Sequence, residues 1–211
     1  MSSAATTADA TIREGRDTSV FGMWVFLVTE AMFFGGVLGA FFIYFYLHPL
    51  AFEEASRHMN VFLGGLNTLV LLSSSLIVAL GVHAAENNRG KTTAVLYMVA
   101  VLCALTFLGV KAIEYTEHFH HGLWPGASWS YDGLDAPRVR LFYVFYFTLT
   151  GLHALHVIIG GVMLTYVAIH ASRGRYANGN YAWVENAGLY WHFVDIVWIF
   201  LYPLLYLIGA H

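Results

Sequence analysis

Charge is scarce in this chain. Lys and Arg number 10 and Asp and Glu 13, together 11% of 211 residues, against about 25% in a soluble domain. Hydrophobic residues make up 58% and the mean hydropathy is +0.62, so the chain belongs in a bilayer. A formal charge of −3 supplies no basic surface for phosphates and excludes nucleic acid as a partner. The single cysteine, Cys103, excludes an internal disulfide and any cluster of cysteine ligands. It lies in an apolar run and reads as a small core residue. Internal repeats and low-complexity tracts are missing too. The N-terminus lacks the positive start and cleavage pattern of a signal peptide. Residues 1–19 read as a short flexible tail.

What is present is length without polarity. Five apolar segments stand out, at 20–47, 61–83, 93–117, 139–170 and 188–209. Each reaches the roughly 20 residues that a membrane helix needs. The expected fold is an all-α integral membrane bundle of five transmembrane helices, forming one domain over 20–211. The fourth segment is long enough to tilt or to project beyond the lipid. The connections, 48–60, 84–92, 118–138 and 171–187, are polar or turn-rich, as in Trp124-Pro125-Gly126 and Ala177-Asn178-Gly179-Asn180. Arg13, Arg16, Arg89, Lys91, Arg173 and Arg175 fall on one side of this arrangement. Arg57, Arg138 and Arg140 fall on the other. The bias predicts a cytoplasmic N-terminus and, after five crossings, an external C-terminus.

Polar residues inside the spans are expensive and mark candidate sites. Glu30 lies roughly 15 Å into the first span, beside Phe26, Phe33 and Phe34. It is read either as a proton-exchanging site or as a protonated carboxyl hydrogen-bonded to a neighbouring helix; if ionised, its first candidate partner is Lys111. Gly35 and Gly39 form a G-x-x-x-G pair that permits close helix approach. Ser73, Ser74, Ser75 and Asn67 suit contacts between helices. Lys111 and Glu114, at i and i+3, predict an ion pair near the membrane edge. His118, His120 and His121 read as a solvated loop without fixed metal geometry. His153 and His156 share a face, but a planar haem cannot sit between two histidines one turn apart, so hydrogen-bonded structural roles are expected. In the last span, Trp191, Asp195, Trp198 and Tyr202 form one stripe at i, i+4, i+7 and i+11. His192 lies beside it. Asp195 must meet a partner there, as the cap of a buried polar network, or perform a function.

Five motifs carry a resemblance over residues 20–209: WVFLVTEAMFF at 24–34, LNTLVLLSS at 66–74, Glu114-Tyr115, TGLHALHVIIG at 150–160 and the stretch from Glu185 to Tyr202. Together they resemble subunit III of the haem-copper cytochrome c oxidases. Glu30 matches that family's buried membrane glutamate. His153, His156, Glu185, Trp191, His192 and Asp195 match its motif positions. The resemblance implies a helical bundle docked on subunit I of a complex that oxidises cytochrome c, reduces oxygen to water and pumps protons. The chain would be part of that enzyme without a catalytic redox centre of its own: no metal or other cofactor on this chain, with haem and copper in the partner subunits. The implied partners are subunits I and II, a small subunit IV or a respiratory supercomplex, and membrane lipid, all in a bacterial plasma membrane. The implied role is to stabilise subunit I and support its proton uptake. The commoner family form has seven helices around a lipid-filled cleft; this chain resembles the five-helix form, which lacks the first pair and leaves phospholipid binding an open question. The accessory subunit of nitric oxide reductases shares these motifs and is an alternative. An intrinsic haem-binding membrane protein is a second one.

Overall fold

The computed structural model describes residues 2–126, 129–133, 135–176 and 181–209, with side chains from residue 14 onward. Among these residues all regular structure is helical. The elements are α1 (Ser2–Leu47), α2 (Pro49–Arg57), α3 (Val61–Glu86), α4 (Gly90–His120), α5 (Ala136–Ser172) and α6 (Ala182–Tyr202). A π-helical turn, Pro203–Leu207, continues α6. Five helices are long and apolar enough to cross a membrane: Glu14–Leu47, Val61–Glu86, Gly90–His120, Ala136–Ser172 and Ala182–Leu207.

Two features differ from the sequence reading. Helix α1 runs back to Ser2 instead of starting near residue 20; the stretch is alanine-rich and free of proline, and alanine has the highest helix propensity. Helix α2 was not foreseen, because nine residues are too few to establish a period. It starts with Pro49 in its first turn, where a missing N–H costs nothing. Ala51, Phe52, Ala55 and Ser56 form its buried side. The Ala177–Asn180 turn and His211 lie outside the described residues.

The core is a ring of four antiparallel neighbours, α3–α4–α5–α6, with α6 closing back on α3. Helix α1 packs outside the ring along α6, and α2 packs against α5. Burial explains the ring. On α4 the buried positions include Thr93, Tyr97, Ala100, Ala104, Phe107, Lys111, Glu114 and His118. Their spacing alternates four and three. The same alternation runs along α3 through Gly64, Asn67, Leu71, Ser74, Val78 and Gly81. On α5 it runs through Val139, Tyr143, Tyr146, Thr150, His153, Val157, Gly160 and Leu164. A buried repeat of 3.5 residues is the seam of left-handed helix packing. Small and polar residues occupy much of this seam, whereas Leu69, Leu76, Leu102 and Val162 are exposed. In lipid the outer face must be apolar, so polar groups collect inside.

Gly35 and Gly39 do not mediate packing between helices of this chain. A Cβ at either would meet nothing within 4 Å. Close approach requires glycine elsewhere, as at Gly160, where a Cβ would lie 2.8 Å from the Trp191 ring, and at Gly81, where it would lie 2.5 Å from Tyr97.

Candidate functional site

The polar residues of the spans gather into distinct centres. The first joins α4, α5 and the π-helical turn. Pro203 has no N–H for the carbonyl four residues earlier, and the helix end widens into a π-turn. Tyr206 in that turn points into the ring and is fully buried. Lys111 Nζ donates to Glu114 Oε2 at 3.0 Å, to the Tyr146 hydroxyl at 2.9 Å and to the Tyr206 hydroxyl at 2.7 Å. Those hydroxyls donate in turn to Glu114 Oε1 at 2.7 and 2.6 Å. An ammonium has three donors and each tyrosine one, so every donor is used. The tyrosine rings add their faces to the cation, with Tyr146 at 4.8 Å. Charge is balanced and hydrogen bonding complete, so this centre ties three elements together. The Lys111–Glu114 pair follows the i, i+3 spacing, but it is deeply buried and held by two tyrosines that the sequence did not single out.

His118 belongs to this region and not to a solvated loop. Helix α4 continues through it and leaves it 4% exposed. Its ring stacks on Tyr146 at 5.4 Å, and Nε2 lies 3.4 Å from Met59 Sδ. The seam of α4 explains this: His118 is one further step of four beyond Glu114. His120 and His121 are exposed.

The second centre is Glu30 with His156, between α1 and α5. Glu30 Oε2 lies 3.2 Å from His156 Nε2. Lys111 is not its partner, being fully engaged with Glu114 and the tyrosines. His156 Nδ1 lies 2.7 Å from the Leu152 carbonyl oxygen. That oxygen only accepts, so Nδ1 carries its hydrogen. A single proton then serves the Glu30 contact. Either the carboxyl O–H donates to a neutral ring, or an imidazolium N–H donates to a carboxylate. Phe34 meets the ring edge-on at 5.1 Å and Tyr190 stacks at 6.4 Å.

A third set forms rungs between α3 and α6. Trp191 Nε1 donates to Ser74 Oγ at 2.9 Å and Trp198 Nε1 to Thr68 Oγ1 at 3.0 Å. His192 Nδ1 lies 2.6 Å from Ser75 Oγ. Only an interhelical register could reveal these pairs, since the partners are more than a hundred residues apart in the chain.

Glu185 stands apart, at the Ala182 end of α6. It faces Arg16 of α1 at 3.7 Å, an ion contact rather than a hydrogen bond, and Arg16 donates to the Tyr181 hydroxyl at 2.6 Å. His153 departs from its expected role. Its ring sits between Phe107 and Trp198, at 5.4 and 5.1 Å. Neither nitrogen has a hydrogen-bond partner among the described residues, and the same is true of Asp195 and Asn67. Among the described residues no three His, Cys, Asp or Glu side chains come together as a metal site.

A family model described as cytochrome c oxidase subunit III matches residues 4–210. The chain is similar to cytochrome c oxidase subunit 3 of Synechocystis sp., with 32% identity over 193 residues, 91% of this chain and 76% of the relative. It is similar to the subunit 3 of Thermostichus vulcanus, with 31% identity over 196 residues, 92% and 90% of the two chains. The subunit 3 of Corynebacterium diphtheriae is 30% identical over 189 residues, 89% and 86% of the two.

Proposed function

The chain belongs to the cytochrome c oxidase subunit III family, and from that premise we propose that it stabilises subunit I of a terminal oxidase and supports its proton uptake. The complex would oxidise cytochrome c, reduce oxygen to water and pump protons, with haem and copper held by the partner subunits. The observation that carries the non-redox role is that Lys111, Glu114, Glu30, His156 and His192 are engaged with protein partners on other helices. Lys111 and Glu114 saturate each other with two tyrosines, His156 is turned to Glu30, and His192 to Ser75. These contacts bind helix to helix. The names of the similar proteins favour an oxidase over a nitric oxide reductase.

We place the chain in a bacterial plasma membrane, and the arginine and lysine bias supports a cytoplasmic N-terminus there. The Gly90 ends of the helices then face the cytoplasm. At that end His83 and Glu86 form an exposed contact of 3.4 Å, two groups suited to holding protons near the surface. Glu185 takes part less directly, because Arg16 faces it. The test is to strip this subunit from the assembled complex and follow oxygen consumption against pH and turnover number. Uptake should slow most at high pH, where free protons are scarce, and the enzyme should fail after fewer turnovers. Haem and copper should stay bound at first. An unchanged pH profile with undiminished endurance would leave only a role in assembly.

A further inference from the structure

Asp195 is 2% exposed on the ring face of α6, and neither carboxyl oxygen has a hydrogen-bond partner among the described residues. Both ring nitrogens of His153 and both polar atoms of the Asn67 side chain are in the same position, and each residue is fully buried. These side chains come from α6, α5 and α3. Trp198 sets how close they are. His153 packs on its ring at 5.1 Å. Asn67 precedes Thr68, which accepts from its indole N–H at 3.0 Å. Asp195 lies three residues before it on α6. All three therefore sit within about one helical turn of the same indole, a rise of about 5.4 Å.

The buried ammonium near them is committed. Lys111 spends its three donors on Glu114, Tyr146 and Tyr206. The Ser75 hydroxyl meets His192 Nδ1 at 2.6 Å and lies beside Asp195; it has one hydrogen, which serves at most one carboxyl oxygen. Helix α4 buries only small side chains between two aromatic rungs. Tyr97 reaches the Val184 carbonyl at 2.8 Å, and Phe107 meets Trp198 edge-on at 4.8 Å. Between those rungs the buried seam of α4 is Ala100 and Ala104, whose side chains end at Cβ.

Buried polar groups nearly always have a protein or ordered-water partner. A buried water typically makes two to four hydrogen bonds to polar groups that lack other partners. We propose that Asn67, His153 and Asp195 form an internal water-binding site at the centre of the ring, where ordered water bridges α3, α5 and α6. The inventory suits it. Neutral His153 offers one donor and one acceptor, Asn67 offers both kinds, and the Asp195 carboxyl supplies acceptors. The bridge joins α3 to α5, which stand on opposite sides of the ring. It adjoins the Lys111 centre, whose Nζ lies 5.5 Å from the Trp198 ring.

Electron cryomicroscopy of the complete complex containing this chain, at a resolution that reveals ordered water, tests the proposal. The expected result is a density peak about 2.7–3.2 Å from polar atoms of at least two of the three side chains. The peak should persist in Asp195→Asn and be lost in Asp195→Leu. If the leucine variant fails to assemble, the wild-type and asparagine maps decide alone. Direct hydrogen bonds among the three side chains, or from Asp195 to Ser75, with no peak between them would overturn the site. So would the same peak in Asp195→Leu.

Discussion

Replacing Lys111 with methionine keeps a flexible chain and removes the buried cation. Glu114 would remain fully buried, with two tyrosine donors and no counter-charge. Breaking a buried pair from one side costs about 3–5 kcal/mol. Tyr206→Phe keeps both charges but removes two hydrogen bonds to them, at about 1.5–3 kcal/mol each, a cost that overlaps that of Lys111→Met. The double variant Lys111→Met/Glu114→Gln removes both charges and keeps an acceptor for the tyrosines. Replacing a whole buried pair is often close to neutral, so its cost should stay within about 2 kcal/mol. The order of stability should be wild type, then the double variant, with Tyr206→Phe and Lys111→Met both below it. Release of this subunit from the purified complex, followed against rising SDS fraction in mild detergent, measures it. A double variant as unstable as Lys111→Met would refute the account of Glu114 as a carboxylate held by that cation.

Two neighbouring glycines should respond in opposite ways. Gly160→Ala drives a Cβ to 2.8 Å from Trp191 and should cost about 1–3 kcal/mol by overpacking, whereas Gly161→Ala meets nothing within 4 Å and should be neutral or slightly stabilising; the same SDS titration compares them. Ser74→Ala strands the Trp191 N–H and should destabilise by about 1–3 kcal/mol, and a loss below measurement error would show that the indole finds another acceptor. Of the two proton positions open to the Glu30–His156 pair, a protonated carboxyl predicts that infrared difference spectra of the complex lose a protonated-carboxyl band in Glu30→Gln. A wild type with only carboxylate absorption at this residue would put the shared proton on His156.

The chain alone was enough to read five membrane crossings, because about twenty apolar residues with almost no charge have no other stable place. It was enough for the family as well, since the motifs at 150–160 and 185–202 are long and ordered. It pointed to Lys111 with Glu114, because i, i+3 neighbours meet within one helix. Partners on different helices were another matter. Tyr146 and Tyr206 were unremarked aromatics until the ring of helices and the π-turn at Pro203 aimed both hydroxyls at Glu114. Arg16 was read as part of a tail, yet it packs beside Tyr181 and Glu185 once α1 runs parallel to α6. His153 and His156 read alike in sequence. The packing separates them, giving one a carboxyl from α1 and burying the other between Phe107 and Trp198. Composition and local spacing determine which segments enter the membrane and which residues share a helix face. Which face meets which is set by the register between helices, through the fit of side chains far apart in the chain, and only the tertiary structure decides it.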